Sequence, residues 1–326
     1  MMERGLEIDS HLVERFTSDL DTLIAPNGPI GIAVSGGPDS VALLLLAAAA
    51  RPGRIEAATI DHALRPGARA EAEMVADLCR PMGVPHAILT ARWEQPPETA
   101  IQERARGERY RLLGYWAEER GLSAIATAHH IEDQAETLLM RLARGAGVKG
   151  LAAMRPRGVA PGAHVRLVRP LLGWRHSELE QICADAGVTP AHDPSNDDER
   201  FERVRIRHAL GDSGWLDAGA VARSAIHAAE ADDALKWASE LEWSRAVEER
   251  RDRIAYRPSD APGEIVRRVV TRAIRKLATE GDRELRGSEV DRLLATLADG
   301  GTSTLRGVLC SGGRSWRFER APPRSS

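Results

Sequence analysis

Ser35-Gly-Gly-Pro-Asp-Ser40 separates a short apolar run, Ile30-Gly-Ile-Ala-Val34, from a leucine-rich stretch, Val41-Ala-Leu-Leu-Leu-Leu-Ala-Ala48. The first run reads as a short buried strand and the second as the start of a buried helix. A strand, a glycine turn and a helix in that order gather free backbone N–H groups at a positive dipole end, which is a place to hold phosphate. The alternation then repeats. Residues 54–64 and 86–93 read as strands, each followed by an amphipathic helix (68–83 and 99–121), and 122–130 is a strand running straight into a helix over 131–145. Such repeats predict a doubly wound α/β fold, a mostly parallel sheet covered on both faces. Ligands of such sheets sit at the carboxyl ends of the strands. Three polar clusters stand at those ends, Ser35–Ser40, Asp61–Arg65 and Thr127–Asp133, so one shared site is expected.

A length of 326 residues fits two domains. The pattern changes near Gly211–Gly214: a long helical stretch follows, then a strand at RDRIAYRP, an amphipathic helix at EIVRRVVTRAIRKL and a closing hairpin around Gly312-Gly313. We therefore expect one domain over 1–213, carrying the shared site, and a smaller, mainly helical domain over 214–326. The net charge of −3 neither requires nor excludes a nucleic-acid partner. Cys79, Cys183 and Cys310 form no CxxC pair and suit a reducing compartment. The charged N-terminus is unlike a signal sequence, and the longest apolar run, Val41–Ala50, is half of the ~20 residues that span a bilayer. A cytoplasmic protein with no membrane contact is expected.

The glycine turn is not a Walker loop, since no lysine followed by Ser/Thr stands after its glycines, and no GxSxG nucleophile elbow occurs. Gly145-Ala-Gly147-Val-Lys-Gly150 matches a dinucleotide fingerprint in spelling only; it follows a helix and reads as a helix stop. Two readings of SGGPDS are left. One is a plain turn into a capped helix. The other is a phosphate nest, with Gly36 and Gly37 admitting close approach, Ser35 and Ser40 offering hydroxyls and Asp39 holding a cation. Asp133 and Glu136 share a helix face, which suits binding of an ammonium or Mg²⁺, or simple compensation of the helix dipole. His129 and His130, with His192, invite a zinc reading. Neighbours on a strand point to opposite faces, so one histidine is expected to line a pocket while the other packs beneath it.

SGGPDS resembles the PP-loop of the N-type ATP pyrophosphatases. DHALR (61–65), ARGERY (105–110), TAHHIEDQAETLLMRLARGAGVKGLAAM (127–154), RPLLGWRHSELEQIC (169–183) and DPSNDDERFERVRIRHAL (193–210) narrow the resemblance to the tRNA(Ile)-lysidine synthetases, in family order over residues 29–210. Two positions depart from the usual pattern: Glu132 where the family has a second aspartate, and Val204 within what is often RNRIR. The chain also ends where some members continue, so it resembles a short form.

The resemblance implies a PP-loop ATP pyrophosphatase fold and ATP-dependent replacement of the 2-oxo group of the wobble cytidine of tRNA(Ile), CAU anticodon, by free L-lysine. An adenylated cytidine would be the intermediate, and AMP and pyrophosphate the products. It implies ATP binding by Ser35, Gly36, Gly37, Pro38, Asp39 and Ser40, with His62 and Arg65 secondary; catalytic roles for Asp39, Asp133, Glu136 and Arg106; and Mg²⁺ on Asp39 and Asp133. Arg109, Arg203, Arg205 and Arg207 would contact tRNA, and the second domain would be the tRNA-binding part. The exposed face of Arg267, Arg268, Arg272 and Arg275 there is either a further tRNA surface or simply a solvated helix face. A homodimer is compatible with the family. The rival is a tRNA-thiolating PP-loop enzyme, which commonly needs a CxxC pair or a catalytic cysteine.

Overall fold

A computed structural model of the chain describes residues 8–63, 67–93, 101–191, 198–258, 260–278 and 285–321. They fall into two compact units, Met1–Ala229 and Glu230–Ser326.

The first unit runs α1 (Ser10–Asp21), β1 (Ile30–Ala33), α2 (Pro38–Ala50), β2 (Ile55–Asp61), α3 (Ala68–Cys79), β3 (His86–Thr90), α4 (Ile101–Glu119), β4 (Ala124–Ala126) and α5 (Ile131–Ala143). A short α6 (Val148–Leu151), β5 (Arg157–Val159), β6 (Arg166–Val168), α7 (His176–Asp185) and α8 (Glu202–Asp212) complete the run into α9 (Ala218–Ala246). The strands form one sheet in the order β3-β2-β1-β4-β6-β5. Every neighbouring pair is parallel except β5 with β6. The doubly wound expectation therefore holds.

The strand order sets the position of the site. β1 has its sequence successors β2 and β3 on one side and β4 on the other, so the chain reverses its direction of winding between β1 and β4. The carboxyl ends of those strands flank the crevice where such sheets bind ligands.

The sequence of α2 explains its location. It has no polar face, and Leu43, Leu44, Leu45 and Leu46 are all within 2 % of complete burial. At about 1.5–3 kcal/mol per buried leucine, only a central position stabilises such a helix. It packs with α1, α3 and α7 into one core through Phe16, Leu20, Val75, Leu179 and Ile182. Tyr110, Leu113 and Trp116 of α4 cover the opposite face of the sheet. Gly31 of β1 is required there: a Cβ would lie 2.6 Å from Trp116.

The second unit holds the end of α9, β7 (Val247–Arg250), β8 (Arg253–Tyr256), α10 (Gly263–Leu277), α11 (Gly287–Ala298), β9 (Thr302–Leu305), β10 (Val308–Ser311) and β11 (Trp316–Arg320). Its five strands make an antiparallel sheet, β7-β8-β11-β10-β9, so its helices pack on a sheet rather than only on one another. The units divide inside α9, later in the chain than the expected start at 214. The α10 arginines are heavily paired within this unit. Arg268 meets Asp232 and Glu264, Arg267 meets Glu264 and Asp291, and Arg272 stacks on Trp243 at 4.2 Å. Arg267, Arg268 and Arg272 are thus engaged within the unit, whichever of the two readings of this face holds.

Two buried acids make this unit sensitive to alkali. The Tyr256 hydroxyl donates to Glu242 at 2.9 Å; burial, aided by that carboxylate, pushes its pKa above 10.0. Burial pushes the Cys310 thiol from 9.0 to about 12. Above pH 9 the unfolded chain loses protons that the folded chain retains, so the contribution of both groups to stability falls as pH rises. The urea midpoint of the second-unit transition should decline between pH 9 and 11, and Tyr256→Phe with Cys310→Ala should flatten that slope.

Candidate active site

The PP-loop follows β1 and ends on the first residues of α2. Gly36 adopts φ +95°, open to glycine and strained for other residues. Its carbonyl accepts the Ala191 N–H at 2.9 Å, and the Pro38 carbonyl accepts the Cys183 thiol at 3.4 Å, so the loop is held from outside. From inside, the Ser40 hydroxyl accepts the Ser35 N–H (3.0 Å) and Gly36 N–H (3.2 Å) and donates to the Gly37 carbonyl (2.9 Å). Ser40 therefore shapes the loop, and its hydroxyl is committed to it. The N–H groups of Gly37, Asp39 and Ser40 precede the first intrahelical bond, Val41 to Gly37, and Pro38 at the first helical position has no N–H to leave unpaired. These amides stand just beyond the carboxyl end of β1, a position that suits an anion.

Asp39 sits among cations. Its Oδ1 is 2.7 Å from His176 Nδ1 and its Oδ2 is 3.6 Å from His130 Nε2. Burial would raise its pKa, but the hydrogen bonds and charges of the two histidines outweigh burial and hold it well below the usual carboxylate range. His130 caps α5, and its backbone N–H donates to Asp133 Oδ2 at 3.1 Å. Burial opposes its charge, yet Asp39, Glu132 and Asp133 together raise its pKa to about 10. The His130 and His176 rings stack at 5.2 Å, and Glu132 Oε2 receives both His130 Nδ1 (2.8 Å) and the His176 backbone N–H (3.0 Å). Glu132, the departure from the family pattern, thus ties the start of α5 to the start of α7.

Asp133 and Glu136 do share a face of α5, and that face meets α8. Arg203 donates to Asp133 Oδ1 at 2.6 Å and to Glu136 Oε2, while Arg207 donates to Glu136 Oε1 at 2.8 Å. Glu136 is fully buried. Arg205 points elsewhere, donating to the carbonyls of Glu199 and Arg200. Of the three arginines expected to act together on tRNA, two clamp the carboxylates and one braces a turn.

Beyond β4 the environment is basic. His129 is held neutral: burial lowers its pKa to about 3, against Asp133 and in concert with Arg169, Arg106 and Arg203. Its Nδ1 lies 3.0 Å from the Thr127 hydroxyl. Arg106 is exposed and stacks on Tyr110 at 5.1 Å, and the buried Nε of Arg169 has no hydrogen-bond partner among the described residues. Beyond β2, the buried Nδ1 of His62 likewise lacks a partner, and the charge of exposed Arg109 adds to burial in lowering its pKa. A polar ligand could satisfy both orphaned nitrogens. Arg65 and His192 lie outside the described residues.

His176 was not among the residues expected here. Its only local signal is its place at the start of α7, where Glu178 accepts the Arg175 N–H at 2.8 Å. The three cysteines are buried and unpaired, with burial pushing their thiols up to about 11 or 12. None has the thiolate character a sulfur-transfer nucleophile needs.

A family model described as a PP-loop domain matches residues 9–213. The chain is 46% identical over its whole length to the tRNA(Ile)-lysidine synthase of Novosphingobium aromaticivorans, covering 98% of that protein. It is 43% identical to the tRNA(Ile)-lysidine synthase of Zymomonas mobilis, over 91% of this chain and 90% of that one. Among solved structures, the U34-tRNA thiolase NcsA from Methanococcus maripaludis with its [4Fe-4S] cluster superposes with a TM-score of 0.55 at 15% identity, over 68% of this chain and 80% of that one, a likeness of fold. No helix among the described residues is long and apolar enough to cross a membrane.

Proposed function

We propose the reaction from one premise: this chain belongs to the tRNA(Ile)-lysidine synthase family. Formation of lysidine on tRNA(Ile) with ATP as co-substrate follows from membership. The residue roles are our reading. ATP lies with its phosphates on the Gly37, Asp39 and Ser40 amides, and its base reaches the end of β2, where His62 has an unpaired nitrogen. The wobble cytidine enters from the β4 end, beside His129 and Arg106. Its 2-oxygen attacks the α-phosphorus, pyrophosphate departs into the amide nest, and the amine of lysine then displaces AMP from carbon 2. A poor leaving group, an oxo group, has become a good one.

Magnesium fits Asp39, a single carboxylate next to the phosphate nest, as such ions are usually held by one or two carboxylates and substrate oxygens. When bound it would neutralise charge building on pyrophosphate. Asp133 fits less well, since its oxygens already accept Arg203 and the His130 N–H. Neutral His129 leaves a ring nitrogen able to accept a hydrogen bond from an amine of the base, although its lowered pKa makes it a poor proton acceptor. Lysine's ammonium is drawn to Asp133, at the mouth of the Arg203 clamp, rather than to sealed Glu136. Arg203 in turn has tRNA phosphate as an alternative partner.

The observation that carries this reading is the placement of the SGGPDS nest and the Asp133–Arg203 pair on strand ends that flank one crevice. The test is AMP release from labelled ATP with Mg²⁺ and CAU-anticodon tRNA(Ile). AMP that requires both tRNA and lysine is the expected result. Turnover indifferent to lysine would refute the roles assigned above.

A further inference from the structure

The side chains of Asp39, His130 and His176 converge from three separate elements: the first turn of α2, the cap of α5 and the first residue of α7. Each offers one ligand atom, and all three atoms lie within 4.8 Å of one another. The Asp39 carboxylate already reaches both rings, Oδ1 lying 2.7 Å from His176 Nδ1 and Oδ2 lying 3.6 Å from His130 Nε2.

A second observation points the same way. Metal-bound imidazoles usually direct their other ring nitrogen at a carboxylate, which fixes the ring and increases its basicity. Both histidines do so here: His130 Nδ1 lies 2.8 Å from Glu132, and His176 Nε2 lies 3.4 Å from Glu180. His176 Nδ1 faces Asp39 and His130 Nε2 faces both Asp39 and Asp133 (3.6 and 3.5 Å); the rings are stacked 27° apart, so one must turn for both lone pairs to meet on one ion. The surrounding carboxylates Asp39, Glu132, Asp133 and Glu180 favour a divalent cation as much as they favour ring protons. A proton and a metal ion are alternative occupants of the same lone pairs.

We propose that Asp39, His130 and His176 form a three-ligand site for one divalent first-row transition ion, of the zinc or cobalt(II) class. Two imidazoles and one carboxylate suit such ions better than magnesium, which prefers an all-oxygen shell. Three protein ligands leave a position open toward the PP-loop amides, as in metal sites that admit water or substrate. Of the zinc arrangement conceivable from sequence, His129 turns to Thr127 and His192 lies outside the described residues, while His130 belongs to the cluster with Asp39 and His176. The proposal concerns binding by the free protein and does not depend on the assigned steps of catalysis.

The test is titration of the metal-free full chain with Co²⁺, following the visible bands of tetrahedral cobalt, with Zn²⁺ competition by calorimetry. One equivalent should bind, with at least a tenfold loss of affinity in His176→Gln. His227→Gln, at an exposed position on α9, is the control and should bind as wild type. Because His176 is half-exposed, its variant should fold, and circular dichroism would verify that. Binding of Mg·ATP is measured separately, so an intact ATP site without cobalt binding would sink this inference alone. Cobalt affinity unchanged by His176→Gln, or lost equally in the control, would also overturn it.

Discussion

Asp39→Asn should reduce tRNA-dependent AMP release by about a thousandfold or more while leaving the fold intact, a loss of about 4 kcal/mol of transition-state stabilisation. The substitution preserves shape and removes one charge. That charge stands at the first turn of α2, beside the amides proposed to receive pyrophosphate. Without it, nothing on α2 neutralises a cation brought with the phosphates, and His130 and His176 lose their shared counter-ion. A purely structural role predicts a different result: a lowered melting point with turnover falling in proportion. Radiolabelled AMP release and thermal denaturation on the same preparation separate the two. More than a tenth of wild-type turnover in a folded variant would remove Asp39 from the chemistry.

The parts legible in the sequence are those that local physics determines. Alternating strand and helix patterns gave a parallel sheet, because a strand buried on both faces and a helix with one apolar side differ in period within a few residues. The glycine turn was legible because Gly36 needs positive φ and because α2 is apolar all round. The site's charge pairing was not legible. His176 meets Asp39 across 137 residues of sequence separation, and although it lies in the RPLLGWRHSELEQIC block nothing there marks it as a partner of the loop. The arginines of α8 show the limit well. Read along the chain, Arg203, Arg205 and Arg207 form one basic cluster. On a helix, 203 and 207 share a face while 205 does not, and the acidic pair Asp133 and Glu136 has matching spacing on α5. That complementarity was available from sequence; that α5 and α8 pack together was not. In the second unit, the β10–β11 hairpin was legible from its glycine turn, but β7 and β9 are only four residues long and mixed in pattern, so their place in the sheet emerges only from the fold.

Glu136→Ala should undock α8 from α5. Glu136 is the one fully buried carboxylate of the site, and each of its oxygens accepts a guanidinium. Breaking a buried ion pair from one side costs about 3–5 kcal/mol when the abandoned charge stays buried. Here the arginine side chains are 36% and 46% exposed and can recover water. The expected cost is therefore smaller, about 2–4 kcal/mol, or a fall in melting temperature of roughly 5–12 °C. The loss should be local before it is global. Amides of residues 202–212 should exchange much faster than in wild type, while those of α2 and β1 keep their protection, because their burial does not pass through Glu136. Turnover should fall mainly through a raised KM for tRNA, since Arg203 and Arg207 would no longer be presented at a fixed position. Glu136→Gln, which retains the shape and one acceptor, should recover part of the exchange protection. If α8 protection is unchanged in Glu136→Ala, the Glu136 clamp does not hold this helix, and the α5–α8 contact must depend on apolar packing and the remaining Arg203–Asp133 pair.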